Sequence, residues 1–135
     1  DLVYKATQLN EFIVSHAPTM IQRAGEVALR HGEDEVAVQL EQLHERLAFC
    51  VGALNSVARI RLPKPEGAFY LFPRIEGLDD SMNFALRLLR ETKVAVAPGV
   101  AFGAGGEGHV RLCFASDFSV LEPALESFCR FVERY

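Results

Sequence analysis

The apolar positions of the chain follow a helical rhythm over its first 55 residues and a two-residue rhythm over much of the rest. Leu2, Ala6, Leu9 and Ile13 step by four, three and four, which lines up one face of an α-helix. Ser15-His16-Ala17-Pro18 interrupts that face. Proline suits the first turn of a helix, and Ile21, Ala24 and Ala28 form a second short stripe. It closes at Arg30-His31-Gly32, cations in the last turn followed by a glycine cap. A third stripe is the longest. Glu33-Asp34-Glu35 places acids where the helix dipole favours them, and Val36, Leu40, Leu43, Leu47, Cys50 and Leu54 then alternate steps of four and three. This predicts one continuous helix over 34–55, with Leu40, Leu43 and Leu47 on its buried side.

After Asn55 the period changes. Ala58, Ile60 and Leu62 alternate with Arg59 and Arg61, the pattern of a half-buried strand. Pro63-Lys64-Pro65-Glu66-Gly67 reads as a turn in which the glycine allows positive φ, and Ala68–Phe72 as a second strand. Asp80 or Ser81 is placed to cap a helix carrying Phe84, Ala85, Leu88 and Leu89. Val94–Ala97 reads as a short buried strand, followed by a glycine-rich loop and a strand over His109–Ala115. A last helix carries Leu125, Phe128 and Val132; it starts at a Ser119–Glu122 capping box or, because of Pro123, nearer Glu122. The order predicts an α+β unit beyond residue 55, a small, mainly antiparallel sheet covered by helices. The two helices of residues 1–32 have no strands of their own and are expected to pack on something outside the chain.

Composition narrows the function classes. Half of the 135 residues are hydrophobic, enough for a sizeable core. With 14 basic against 18 acidic side chains the net charge is -4, and no basic cluster meets a phosphate backbone, so no nucleic-acid partner is expected. The longest apolar stretch, Val94–Phe102, is broken by Pro98-Gly99 and is too short to cross a membrane. Asp1-Leu2-Val3-Tyr4-Lys5 is no signal peptide, and the missing initiator methionine suggests a start inside a longer polypeptide. Cys50, Cys113 and Cys129 are odd in number, lack metal spacing and sit in apolar stretches, as expected of reduced, buried thiols in a cytoplasmic protein. His16, His31, His44 and His109 are scattered, so no metal site is expected.

Gly103, Gly105 and Gly108 match the G-x-G-x-x-G pattern of nucleotide loops. The dinucleotide form needs a helix to begin at the loop, yet the pattern predicts a strand there. The kinase form needs a lysine downstream, and Lys5, Lys64 and Lys93 all precede the loop. A plain strand-to-strand connection that binds no nucleotide is expected.

Arg111 is the residue that composition does not explain. It stands in the apolar run His109-Val110-Arg111-Leu112-Cys113-Phe114, where alternation puts it on one face with His109 and Cys113. A guanidinium in such a strand needs an anion. A carboxylate of the same fold would make it a structural salt bridge. A ligand carboxylate would make it a bidentate clamp, for which arginine's planar fork is suited.

Three segments bear on that choice: Pro65-Glu66-Gly67-Ala68-Phe69-Tyr70, Val94 through Gly103, and Glu107-Gly108-His109-Val110-Arg111. In order and spacing they resemble the small domain of the fold-type I aminotransferases, the aspartate-aminotransferase-like, pyridoxal-phosphate-dependent enzymes. The resemblance runs back through Ser15-His16-Ala17-Pro18 and Gln22 to near residue 1. It implies a carboxyl-terminal portion of such an enzyme: residues 1–32 the helical end of a cofactor-binding large domain, 33–55 a long interdomain helix, 56–135 a small domain that closes over substrate. It implies that Arg111 binds the substrate α-carboxylate, with Gly67 and Phe102 as candidate pocket-lining residues. A two-point grip there would fix the rotation that sets Cα–H against the cofactor ring. Ser15 and His16 become candidates for a contact with the neighbouring subunit's cofactor site in a homodimer, unless the segment is only an interhelical turn. None of the three lysines has the serine-lysine context of the family's cofactor anchor, so the resemblance leaves no catalytic residue in this segment. The implied reaction is transfer of an amino group between an amino acid and a 2-oxo acid. A carbon–sulfur lyase of the same fold, or a ligand-sensing domain of a transcriptional regulator, shares the clamp; which amino acid is used is not legible.

Overall fold

In the computed structural model, which describes residues 1–135, the chain forms two compact units, Asp1–Leu40 and Glu41–Tyr135. The first contains α1 (Leu2–Val14), α2 (Thr19–His31) and the beginning of α3 (Glu33–Asn55). Asp1 caps α1 by accepting from the Val3 N–H at 3.1 Å. The helix stops where Ser15 turns to φ 59°, its N–H returning to Glu11 O. Gln22 Nε2 then donates to Ala17 O at 2.7 Å and closes the break. No residue of this unit is buried, and its large apolar side chains, Phe12 and Leu29 among them, are exposed.

The second unit continues α3 and adds β1 (Ile60–Arg61), β2 (Tyr70–Leu71), β3 (Arg74–Ile75), α4 (Ser81–Thr92), β4 (Ala97–Pro98), β5 (Val110–Cys113) and α5 (Phe118–Arg134). β1 pairs with β3, and β5 lies between β2 and β4, all antiparallel. Cys50 and Leu54 of α3, Phe84 and Leu88 of α4, and Leu125, Phe128, Phe131 and Val132 of α5 enclose Leu71, Val110 and Phe114 from the sheet. Phe84 packs edge-on against Phe128 and Phe131, centroids 6.2 and 5.2 Å apart, the arrangement that opposes positive edge to negative face. The fold is the expected α+β class, with small antiparallel sheets under helices.

Several expectations need correction. The long helix is continuous, but only Cys50 and Leu54 are buried; Leu43 and Leu47 are half-buried and Leu40 is 50% exposed. The stripe reaches the core of the second unit only in its last three turns. The strands predicted over 58–62, 68–72 and 109–115 shorten to two to four residues, and the one predicted over 94–97 moves to Ala97–Pro98, with Val94 and Val96 half-buried before it. The positive φ of the proline-rich turn falls on Ala68 (φ 62°), not Gly67. β3 went unseen because its two residues carry no period. α5 starts at Phe118, where Asp117 O accepts from Val120 and Leu121 N–H; the Ser119–Glu122 box does not form and Pro123 lies inside the helix. Cys113 is exposed rather than buried, because its place in β5 puts it on the open face. No helix is long and apolar enough to cross a membrane.

Candidate functional site

β5 presents its two faces as alternation requires: Val110 and Phe114 go to the core, and Arg111 is half-buried on the other side. Tyr70 pairs with Cys113 across β2 and β5, so it is a diagonal neighbour of Arg111, within reach of a long side chain. Its ring centroid lies 4.4 Å from the Arg111 guanidinium carbon. The Phe102 ring lies 4.5 Å from the same atom. Across the other edge of β5 the partner of Arg111 is Ala97, too small to fill the space. No carboxylate comes within 4.0 Å of Arg111, and it makes no side-chain hydrogen bond to the protein. This chain itself thus supplies no salt-bridge partner to Arg111. Aromatic faces hold the guanidinium, orienting it without cancelling its charge.

The aromatic wall extends further. Phe72 meets Phe102 edge-on at 5.6 Å and stacks on His109 at 4.9 Å with the planes 8° apart. His109 Nδ1 lies 3.2 Å from Glu107 O. Tyr70, Phe72 and His109 also line an open groove of about 470 Å³, together with the cations Arg61, Lys64 and Arg74. Arg61 and Arg74 are cross-strand partners, and the one carboxylate near them is Glu76, 3.9 Å from Arg61. Like charges placed opposite one another make the groove electropositive although the chain as a whole is acidic.

The loop from Pro98 to His109 folds as two short 3-10 turns, Gly99–Phe102 and Ala104–Gly106, and runs into β5 rather than into a helix. Backbone N–H groups of a helix start are thus not presented to a phosphate, which removes the basis of the nucleotide reading. Gly99 and Gly106 lie so close that a Cβ on either would overlap the other's carbonyl oxygen. Glu107 Oε1 accepts from the Ser81 N–H at 2.6 Å and from Gly108 N–H at 3.2 Å. These bonds, the Ser81 N–H first, hold its carboxyl below the ordinary carboxylate range.

Of the residues singled out in the sequence, the structure brings together Arg111 and Phe102. Gly67 is exposed, with nothing within 4 Å of where a Cβ would stand, so packing within the chain does not demand a glycine there. Ser15 and His16 are exposed residues of the first unit, the His16 ring 3.2 Å from Ala17 O. Tyr70, Phe72, Ser81 and Glu107 were missed as site residues. Strand alternation and the β2–β5 pairing would have found Tyr70; nothing in the pattern announces Ser81 or Glu107. All three lysines are exposed. No group of three or more His, Cys, Asp or Glu side chains could hold a metal.

Residues 1–128 match the family model for aminotransferase class I and II. An aspartate aminotransferase of Pyrococcus horikoshii is 35% identical over 127 residues, 92% of this chain and 32% of that protein. The crystal structure of an aromatic aminotransferase from Pyrococcus horikoshii OT3 superposes with a TM-score of 0.79 at 35% identity, over 92% of this chain and 34% of that one. A putative aminotransferase from Clostridium difficile 630, crystallised with pyridoxal phosphate bound, gives 0.83 at 26% identity over 96% of this chain and 34% of its own. The chain thus spans about a third of the length of the relatives it matches.

Proposed function

The chain belongs to the aminotransferase class I and II family, and we propose that its second unit supplies the grip on the α-carboxylate of an amino-acid or 2-oxo-acid substrate. The observation that carries this reading is Arg111, a half-buried guanidinium stacked on Tyr70 and Phe102 with no carboxylate of its own. Its N–H donors form a planar fork that meets both oxygens of a carboxylate at once. The rings restrict the side chain before the ligand arrives, so less rotamer freedom is lost on binding. Partial burial removes water and strengthens the charge-assisted pair. A carboxylate held at two points cannot rotate, which fixes the substituents on its α-carbon. The electropositive groove beside Tyr70 favours approach of anions to this face.

The complete protein would transfer an amino group between an amino acid and a 2-oxo acid, with pyridoxal phosphate as its cofactor. The exposed lysines of this chain do not fit the cofactor's imine linkage, which belongs to the part of the relatives' length that the chain does not span. We read residues 1–32 as the helical end of the cofactor-binding domain, 33–55 as the interdomain helix and 56–135 as the closing domain. Ser15 and His16 would face the neighbouring subunit of a homodimer. The aminotransferase names of the relatives favour transamination over lyase or sensor roles. Those relatives are named for aspartate and for aromatic amino acids, whose shared feature is the α-carboxylate. The test is calorimetric titration of the complete, cofactor-loaded protein with succinate and with 3-phenylpropionate. Arg111→Lys and Arg111→Gln should weaken both ligands; unchanged affinity in both variants would refute the clamp.

A further inference from the structure

The turn that carries Phe102 is tied down by a short hydrogen-bond chain. Val100, two residues before Phe102, donates its N–H to Ser81 Oγ at 3.1 Å. Ser81 is the first residue of α4 and is fully buried. Its backbone N–H donates to the carboxylate of Glu107 at 2.6 Å. The same carboxylate oxygen takes the Gly108 N–H at the entrance to β5. One side chain therefore joins three separate elements: the start of α4, the start of the strand bearing Arg111, and, through Ser81, the turn bearing Phe102. A carboxylate at the first turn of a helix is also favoured by the helix dipole.

We infer that Glu107 is a positioning residue for the carboxylate grip, holding Phe102 against Arg111 through the Ser81 hydroxyl. The inference rests on Arg111 being the carboxylate ligand. The Gly99 N–H to His109 O bond at 2.9 Å and the Gly99–Gly106 contact lie outside the Val100–Phe102 segment, and the Gly103 N–H to Val100 O bond at 3.2 Å closes that turn on itself, so the Ser81 bond is the one that joins the segment to α4. Without the Ser81 link that segment retains its backbone path but loses the bond that fixes its rotation. Phe102 is 46% exposed and has little other packing to return it to Arg111; its ring neighbours are Phe72 and the guanidinium itself. Tyr70, held in β2, keeps its side of the stack.

A double-mutant cycle on the complete, cofactor-loaded protein separates this role from general support, with succinate affinity and the Arg111 Nε–H proton shift as readouts. Ring currents from Phe102 and Tyr70 displace that proton. Glu107→Ala should weaken succinate about tenfold, within the range for coupled neighbours, and move the Arg111 resonance part of the way to its free position. Glu107→Gln keeps an acceptor oxygen and should restore most of both. Phe102→Ala should weaken binding similarly, and the double variant should bind no more weakly than Phe102→Ala alone. If Glu107→Ala fails to fold, Ser81→Ala decides: it spares the Glu107 to Ser81 N–H bond and cuts only the link to Val100. Additive losses in the double variant would overturn the inference. So would unchanged succinate binding in Glu107→Ala or, in its place, Ser81→Ala, while Arg111→Lys weakens it. Wild-type binding by Arg111→Lys would instead remove the clamp reading itself.

Discussion

Replacing Arg111 by lysine keeps the charge and removes the fork, so it sets the clamp against a merely structural cation. The structure gives the expected cost to folding. Two ring contacts at 4.4 and 4.5 Å are lost or weakened. Each is worth about 0.5–1 kcal/mol at a partly exposed site, so stability should fall by no more than about 1–2 kcal/mol. Breaking a buried ion pair would have cost about 3–5 kcal/mol, but Arg111 has no such partner. The cost to reaction is larger. Loss of a two-point charge-assisted pair, with a carboxylate free to swing, should take on the order of 3–5 kcal/mol from the transition state. At about 1.4 kcal/mol per decade, kcat/KM of the complete enzyme should fall by roughly two to four decades. Melting temperature and single-turnover rate, measured on one sample, separate the outcomes. A markedly destabilised protein with a normal rate would refute the reasoning.

The loop glycines should divide sharply in urea unfolding. Gly99→Ala meets backbone oxygens that cannot rotate away and should cost about 1–3 kcal/mol or more, whereas Gly67→Ala has open space and an ordinary φ and should change stability by less than about 0.5 kcal/mol; equal effects would mean the loop is not packed as described. Glu107 should link stability to acid. Its folded carboxyl is lowered from 4.5 by the Ser81 N–H first, so its contribution is present above that value and is lost as pH falls through the folded one. The stability gap between wild type and Glu107→Gln should be constant near neutrality and shrink in that acidic window; a gap independent of pH would show that the carboxylate charge adds nothing. Burial, and next the neighbouring Cys129, pushes the Cys50 thiol up to about 11, and burial raises Cys129 too. Iodoacetamide at pH 8 should therefore label Cys50 only on unfolding, and rapid native labelling would contradict its burial.

The helices were legible because their stripes are long. The four-three steps of α3 and the Asp80 cap of α4 survive into the structure, where Asp80 accepts from the Asn83 N–H at 2.9 Å. Burial was less legible than periodicity: Leu40 continues the stripe into a stretch where no residue is buried. The strands were located but overdrawn, because two-residue pairings such as Ile60–Arg61 with Arg74–Ile75 owe their existence to tertiary neighbours rather than to a local pattern. Arg111 could be found from the sequence because a cation in an apolar strand is a local anomaly. Its surroundings could not. Tyr70 lies 41 positions upstream and meets Arg111 only through the β2–β5 register. Ser81 and Glu107 are ordinary polar residues whose link spans 26 positions and exists only in the fold.

Under the proposed reading, aromatic neighbours suit Arg111 better than an acidic one would. An acidic neighbour would orient the guanidinium well but occupy the same N–H donors that a ligand needs, and the ligand would then have to displace it. Aromatic rings 4.4 and 4.5 Å from the guanidinium carbon attract the cation without accepting hydrogen bonds from its N–H donors. The acids flanking Arg111 in sequence are both engaged elsewhere. Glu107, four residues before it, accepts from Ser81 and Gly108, and Asp117, six residues after it, pairs with Arg46 at 3.1 Å. Moving either carboxylate to Arg111 would break those bonds and leave the Ser81 N–H, or the largely buried Arg46, without its partner. Two local networks thus engage the acids nearest to Arg111 in sequence, and under the proposed reading its donors remain for a ligand carboxylate.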